Sequence, residues 1–330
     1  MRWHVTAPGK IMLAGEYSVL HGRPALVMAV DRRVCAWLED SPRSLQGILA
    51  AVRDVMIEAH GPESPAADAA ARVRVDSHAL YDDHGIKLGL GSSAATCVAA
   101  TLCCMRAANA PTDPAHVHRL AHRAHQLAQS RRGHPGSGAD VAAAALGGLI
   151  EFTPEPTVTA APITPPRSVH LVFVWTGRPA DTVHLVGGVA AAESASPERF
   201  DALHRDMHRA VTQLAHALRT DNGRAVVAAL AAAGGVVAEL GQAANLPLQT
   251  DVHHQLLELA SHHEGTCKPS GAGGGDVAIA AFCADTDAAG FRRGLANMGM
   301  KPLNLHLDTQ SALVLPGPPP KSSATHQPSP

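Results

Sequence analysis

Two hydrophobic rhythms alternate along this chain. Short runs, most of them containing β-branched residues, read as strands over Trp3–Thr6, Ile11–Ala14, Ala25–Val30, Arg72–Val75, Val169–Val174 and Val277–Phe282. Elsewhere the apolar positions and helix formers predict helices over Ala94–Ala108, Pro114–Gln129, Pro197–Arg219, Gly223–Leu240, Asp251–His263 and Ala288–Met298. Asp113–Pro114 and Ser196–Pro197 each place a capping side chain before a proline at the first helical position. This mixture predicts an α+β fold rather than a doubly wound parallel sheet.

Five prolines between Pro154 and Pro166 break any long element there and read as a connector. A domain boundary is expected near it, which gives an N-terminal domain over 1–160 and a C-terminal domain over 161–315. The stretch 316–330 is rich in Pro and Ser with almost no apolar residue, and it is expected to be a disordered tail.

Composition narrows the class. Of the 330 residues, 46% are hydrophobic and 17% charged, which suits a globular chain. Aromatics make up only 3%, so the core must rest on Ala, Val and Leu, with stability spread over many small contacts. The formal net charge is −2 without a block of one sign, which argues against a nucleic-acid partner. The six cysteines form no CxxC pair and point to a reducing compartment. Neither a basic-then-apolar leader nor a stretch apolar enough to span a bilayer is read, so a cytoplasmic protein without a membrane partner is expected. Monomer and homodimer both fit.

The sharpest local signal is Gly89-Leu90-Gly91-Ser92-Ser93-Ala94-Ala95, run directly into a predicted helix. Glycines let the backbone turn tightly and approach a ligand, while the helix start offers free N–H groups and its positive dipole end. Such a loop suits a triphosphate, with Ser92 and Ser93 hydroxyls in reach of phosphate oxygens or Mg²⁺. A Gly-Ser turn that merely caps a helix is the alternative reading. The chain has no GxxxxGK[ST] loop.

Three segments together resemble the three motifs of the GHMP kinase superfamily, in that family's order: Ala7–Tyr17 (APGKIMLAGEY), the Gly89–Ala95 loop, and Lys268–Asp276 (KPSGAGGGD). Within the superfamily, four details resemble the phosphomevalonate kinase family. Lys87 stands two residues before Gly89, and Gly136–Ala142 reads GSGADVA. Asp276 follows three glycines, and Trp175–Thr182 reads WTGRPADT, in which Pro179 and Asp181 depart from the family pattern. The resemblance implies an N-terminal domain like domain 2 of ribosomal protein S5 and a ferredoxin-like C-terminal domain, with ATP and substrate meeting between them. It also implies phosphorylation of 5-phosphomevalonate to the 5-diphosphate, with Mg²⁺ accompanying ATP.

That chemistry needs positioning and charge neutralisation more than a base, because a phosphate monoester is already mostly dianionic at neutral pH. Lys10 and Lys87 are the candidate catalytic cations, among only five lysines. Asp140 is assigned to orienting Lys10 and the acceptor; its plain reading is a helix N-cap. By resemblance, Gly89, Leu90, Gly91, Ser92, Ser93 and Ala94 bind ATP. Ser93 and Glu16 are the metal candidates, Glu16 alternatively supporting the site lysine. Acceptor contacts are expected from Lys10, Ser137, Thr182, Ser270, Gly271 and Gly273, with Gly274 lining the third loop.

His118, His122 and His125 share a helical face, yet the chain has no HExxH and no zinc-finger spacing, so they read as ordinary helix residues. Mevalonate kinase, which would need Asp140 as a general base, is the nearest competing activity. A non-catalytic nucleotide-binding regulator is the competitor from another class. Retention of Lys10, Lys87, Asp140 and Asp276 argues against it.

Overall fold

In this computed structural model, residues 3–133, 136–154 and 158–320 are described. In chain order the elements are β1 (Trp3–Ala14), β2 (Ala25–Leu38), α1 (Gly47–His60), α2 (Pro65–Arg72), β3 (Val73–Asp76), α3 (Ser92–Ala107), α4 (Pro114–Ser130), α5 (Ala139–Leu146), β4 (Leu149–Thr153) and β5 (Thr159–Ile163). There follow β6 (His170–Trp175), α6 (Thr182–Ala195), α7 (Pro197–Arg219), α8 (Gly223–Ala244), α9 (Asp251–Ser261), β7 (Thr266–Pro269), β8 (Val277–Phe282), α10 (Asp285–Asn297), β9 (Pro302–Leu303) and β10 (Leu313–Pro316). The expected α+β class holds.

The chain forms two interleaved units. The first comprises Met1–Lys10, Met28–Gly148 and His306–Pro330; the second comprises Ile11–Val27 and Leu149–Leu305. The boundary expected near residue 160 therefore falls at 148/149, and the first motif is split at Lys10/Ile11. The proline-rich stretch is not a bare connector. It contains β5, which pairs antiparallel with β4 and sets Pro162 opposite Ile150. Nor does the tail begin at 316: Pro316 closes β10, opposite Trp3 on β1. The remainder of the expected tail, 321–330, lies outside the described residues.

Unit 1 is built around α3. From Ala94 to Met105 every residue but Thr96 is buried, most of them Ala, Cys or Val, and α1, α2, α4 and α5 all pack against it. Small side chains let these helices close on one another, which is how a chain poor in aromatics fills a core; a larger residue there would overpack. Two caps behave as elementary chemistry dictates: Ser64 accepts from Ala67 N–H before Pro65, and Asp113 accepts from His116 N–H before Pro114. The Ser196 side chain makes no such bond although α7 does begin at Pro197.

Unit 2 contains an antiparallel sheet in the order β7-β8-β6-β9. All six β8 residues are buried, and Phe282 on β8 meets Phe291 of α10 at 5.1 Å between ring centroids. Helices α7 and α8 pair, and α8 also packs against β7. Contrary to the sequence reading, α8 is long and apolar enough to cross a membrane by length and composition. Its Val226, Leu230, Val237 and Leu240 are core residues of this unit.

Candidate active site

In unit 1 the candidate residues are organised by Lys10. Its amide donates to Leu90 O at 2.9 Å, which fastens the end of the first motif to the phosphate loop. Its ammonium lies 3.2 Å from Asp140 Oδ2, with the lysine side chain 10% exposed and the carboxylate 32%. Gly91 explains the loop's composition. It adopts φ +74°, and a Cβ there would come within 2.8 Å of Lys10 Cγ and 3.0 Å of Cε. Any side chain would therefore displace the lysine stem as well as strain the backbone. Gly91 is the N-cap of α3, so the first-turn N–H groups of Ser92, Ser93 and Ala94 lack partners within the helix.

Asp140 sits in the first turn of α5, whose N-cap is Gly138 at φ +85°. A Cβ at Gly138 would lie 2.0 Å from His122 Cε1, so the α4 imidazole packs directly against the turn that carries Asp140. Ser137 Oγ accepts from Ala139 N–H at 3.3 Å. His125 of α4 feels the same carboxylate: burial lowers its pKa, and the Asp140 charge works in the opposite direction. Lys87 is exposed beside a tight turn in which Asp82 Oδ1 accepts from His84 and Ile86 N–H groups and Leu88 N–H bonds Leu80 O. Unit 1 thus brings Lys10, the Gly89–Ala94 loop and Asp140 together, and it displays Lys87 two residues before Gly89.

Unit 2 treats its expected site residues differently. Glu16 is 2% exposed and Lys268 is 1% exposed. Lys268 Nζ bonds Glu16 Oε1 and also Pro269 O. One oxygen of the Glu16 carboxylate is therefore held by a buried ammonium, while Oε2 has no hydrogen-bond partner. The carboxylate supports a lysine, but that lysine is Lys268. Ser270 is likewise committed: its hydroxyl donates to Met12 O at 3.1 Å and accepts from Met12 N–H at 3.0 Å. Its one proton is spent on that carbonyl.

The third glycine loop turns between β7 and β8. Gly271, Gly273 and Gly274 all have positive φ. A Cβ at Gly273 would meet Leu248 O at 2.2 Å, one at Gly274 would meet Leu185 Cδ1 at 2.7 Å, and one at Gly271 meets nothing. Gly273 and Gly274 are therefore glycine for packing, while Gly271 has open space on that side. Asp276 staples this loop to the Trp175–Thr182 segment: Oδ1 accepts from Ala180 N–H at 2.9 Å, and its carbonyl accepts from the Thr176 amide and hydroxyl. Asp181, irregular in the sequence comparison, caps α6 through His184 N–H, which leaves Thr182 exposed in the first turn. Sequence reading missed Tyr17, whose hydroxyl donates to Ala272 O at 2.6 Å; its position at the end of the first motif was the available signal.

His118 and His125 are core histidines, 8% and 6% exposed. Burial pushes His118 down to about 4. They do not gather into a metal-holding group among the described residues.

Comparison with known proteins gives this geometry a context. Residues 48–148 match the family model of the GHMP kinases N terminal domain. The chain is 26% identical to the phosphomevalonate kinase of Streptomyces sp. (strain CL190) over 91% of this chain and 95% of that one. It is 27% identical to the mevalonate kinase of Thermococcus gammatolerans over 67% and 71% of the two chains. Among solved structures, Streptococcus pneumoniae phosphomevalonate kinase in complex with phosphomevalonate and AMPPNP has the same fold, with a TM-score of 0.79 at 19% identity over 92% of this chain and 99% of that one. Residues 48–148 thus carry a match to the GHMP kinases N terminal domain, and over most of its length the chain is similar to a phosphomevalonate kinase.

Proposed function

We propose that this protein is a phosphomevalonate kinase that moves the γ-phosphoryl group of ATP onto the phosphate of 5-phosphomevalonate, giving ADP and 5-diphosphomevalonate. The observation that carries this reading is the 3.2 Å pair of Lys10 and Asp140 beside the phosphate loop. A carboxylate held against an ammonium is a weak base, but it fixes that ammonium in place. An acceptor that is already mostly dianionic needs the cation and not the base. Near-complete coverage of the Streptomyces enzyme supports the same acceptor.

The Gly89–Ala94 backbone and the start of α3 hold the nucleotide's phosphates. Lys10 and Lys87 cancel repulsion between the two polyanions as the transferring group passes between them. Mg²⁺ fits the donor set in unit 1: a hard cation bound to phosphates takes few protein oxygens, and the half-buried Ser93 hydroxyl supplies one. When bound, it neutralises charge on the β- and γ-phosphates. In unit 1, Ser137 is the proposed acceptor contact.

Mevalonate kinase is the second reading, favoured by the identity to the Thermococcus enzyme. A coupled ADP-release assay with mevalonate and with 5-phosphomevalonate separates the two. Turnover with the phosphorylated acid alone supports the proposal, turnover with the alcohol alone replaces it by mevalonate kinase, and ATP binding without turnover removes both.

A further inference from the structure

The geometry points to a transition-metal site in unit 2, built from His21, Glu193 and His204 and unrelated to the phosphate-transfer residues. His21 closes the short helical turn Ser18–His21 after β1, Glu193 lies near the end of α6, and His204 lies in α7. One candidate ligand atom from each residue falls within 4.8 Å of the others. His21 Nε2 is 3.2 Å from Glu193 Oε2, and His204 Nε2 is 3.6 Å from Glu193 Oε1. Ligand atoms around a tetrahedral zinc ion stand about 3.3 Å apart, given Zn–N and Zn–O bonds near 2.0–2.1 Å. The two separations are of that order, each imidazole facing a different oxygen of the Glu193 carboxylate.

A second observation singles this trio out from a surface cluster. His204 is 2% exposed, and neither of its ring nitrogens has a hydrogen-bond partner. A buried imidazole with no partner is costly, and a metal bond to Nε2 removes that cost. Burial, followed by the neighbouring charges of His21 and Arg23, pushes His204 down to about 4, with Asp201 opposing. Arg23 is itself tied to Asp201 at 3.0 Å. Two imidazoles and one carboxylate favour Zn²⁺ or Co²⁺ over Mg²⁺, which prefers an all-oxygen shell. Bound there, the ion would join the turn that follows Glu16 and Tyr17 to α6 and α7.

The test uses the full chain stripped by a chelator and titrated with Co²⁺, followed by visible absorption, and then with competing Zn²⁺. The expected result is one equivalent giving the intense bands of a low-coordinate site, displaced by Zn²⁺ and not by excess Mg²⁺. His21→Ala and Glu193→Gln, both at partly exposed positions, should each lose that equivalent while keeping the native fold by circular dichroism. Zn²⁺ at about 100 times its Kd should favour the folded native chain about 100-fold and leave His21→Ala unchanged. Equal uptake by native protein and His21→Ala would assign the metal to other histidines and overturn the proposal. Absence of uptake, or displacement by Mg²⁺, would overturn it as well.

Discussion

Lys10 Nζ lies 3.2 Å from Asp140 Oδ2, and the lysine reaches that position by running its side chain along Gly91. Backbone, glycine and carboxylate thus fix one ammonium beside the start of a helix. A fixed charge costs no reorganisation when the phosphoryl group moves, which is what makes it useful in a transition state.

Lys10→Met and Lys87→Met are each expected to lower kcat by about 10²-fold or more, as loss of a transition-state charge contact does. Lys87 is exposed, so its variant should melt as the native protein does. For Asp140→Asn a smaller loss is expected, without disappearance of an acidic limb in the pH–rate profile. A large loss rescued by external base would instead make Asp140 a proton acceptor.

Gly91→Ala tests the loop itself. An L-residue in this left-handed conformation costs about 1–2 kcal/mol before any clash. The added methyl group would also push Lys10 away from Asp140. Steady-state kinetics beside thermal melting should show kcat falling by more than the lost stability explains. Unchanged kcat in a destabilised protein would separate the glycine from the chemistry.

Lys268 and Glu16 form a buried pair, and Glu16 Oε2 is buried without a donor of its own. Removing one partner strands a charge, so Lys268→Met should cost about 3–5 kcal/mol in urea unfolding. Replacing both, as Lys268→Met with Glu16→Leu, should recover most of that loss. If the double variant is no more stable than the single one, the pair does not behave as a compensated charge.

Acid should weaken the fold through buried histidines. Burial pushes His118, His204 and His253 down to about 4, against an unfolded value near ~6.5. Between those values the unfolded chain binds more protons. The neutral rings therefore contribute fully above the unfolded value, and the contribution is lost as pH falls toward about 4. His253 Nδ1 accepts from Thr250 N–H at the start of α9, a bond that protonation removes. Melting midpoints measured in chelator between pH ~7.5 and ~4.5 should fall with pH, and His253→Gln should flatten that fall. A midpoint independent of pH in this window would contradict the burial argument.

What the sequence determined by itself was local. The phosphate loop, the Pro-marked starts of α4 and α7, and strand β8 are written in contiguous residues whose backbone preferences do not wait for the rest of the fold. Helix α1 escaped notice although its Leu49, Val52, Val55 and Met56 are buried, and β10 escaped because a Pro-rich end hides a strand that forms only against Trp3–Thr6. The tertiary structure alone decided which partner each polar side chain would find. Glu16 and Lys268 are 252 residues apart in sequence and Met12 and Ser270 are 258 apart, and no periodicity encodes such distances. It tied the Ser270 hydroxyl to the Met12 backbone, made Asp276 the clasp of the third loop, and gathered His21, Glu193 and His204. Burial removes water as the alternative partner, so in the folded chain each of these groups must answer to whichever neighbour the packing brings.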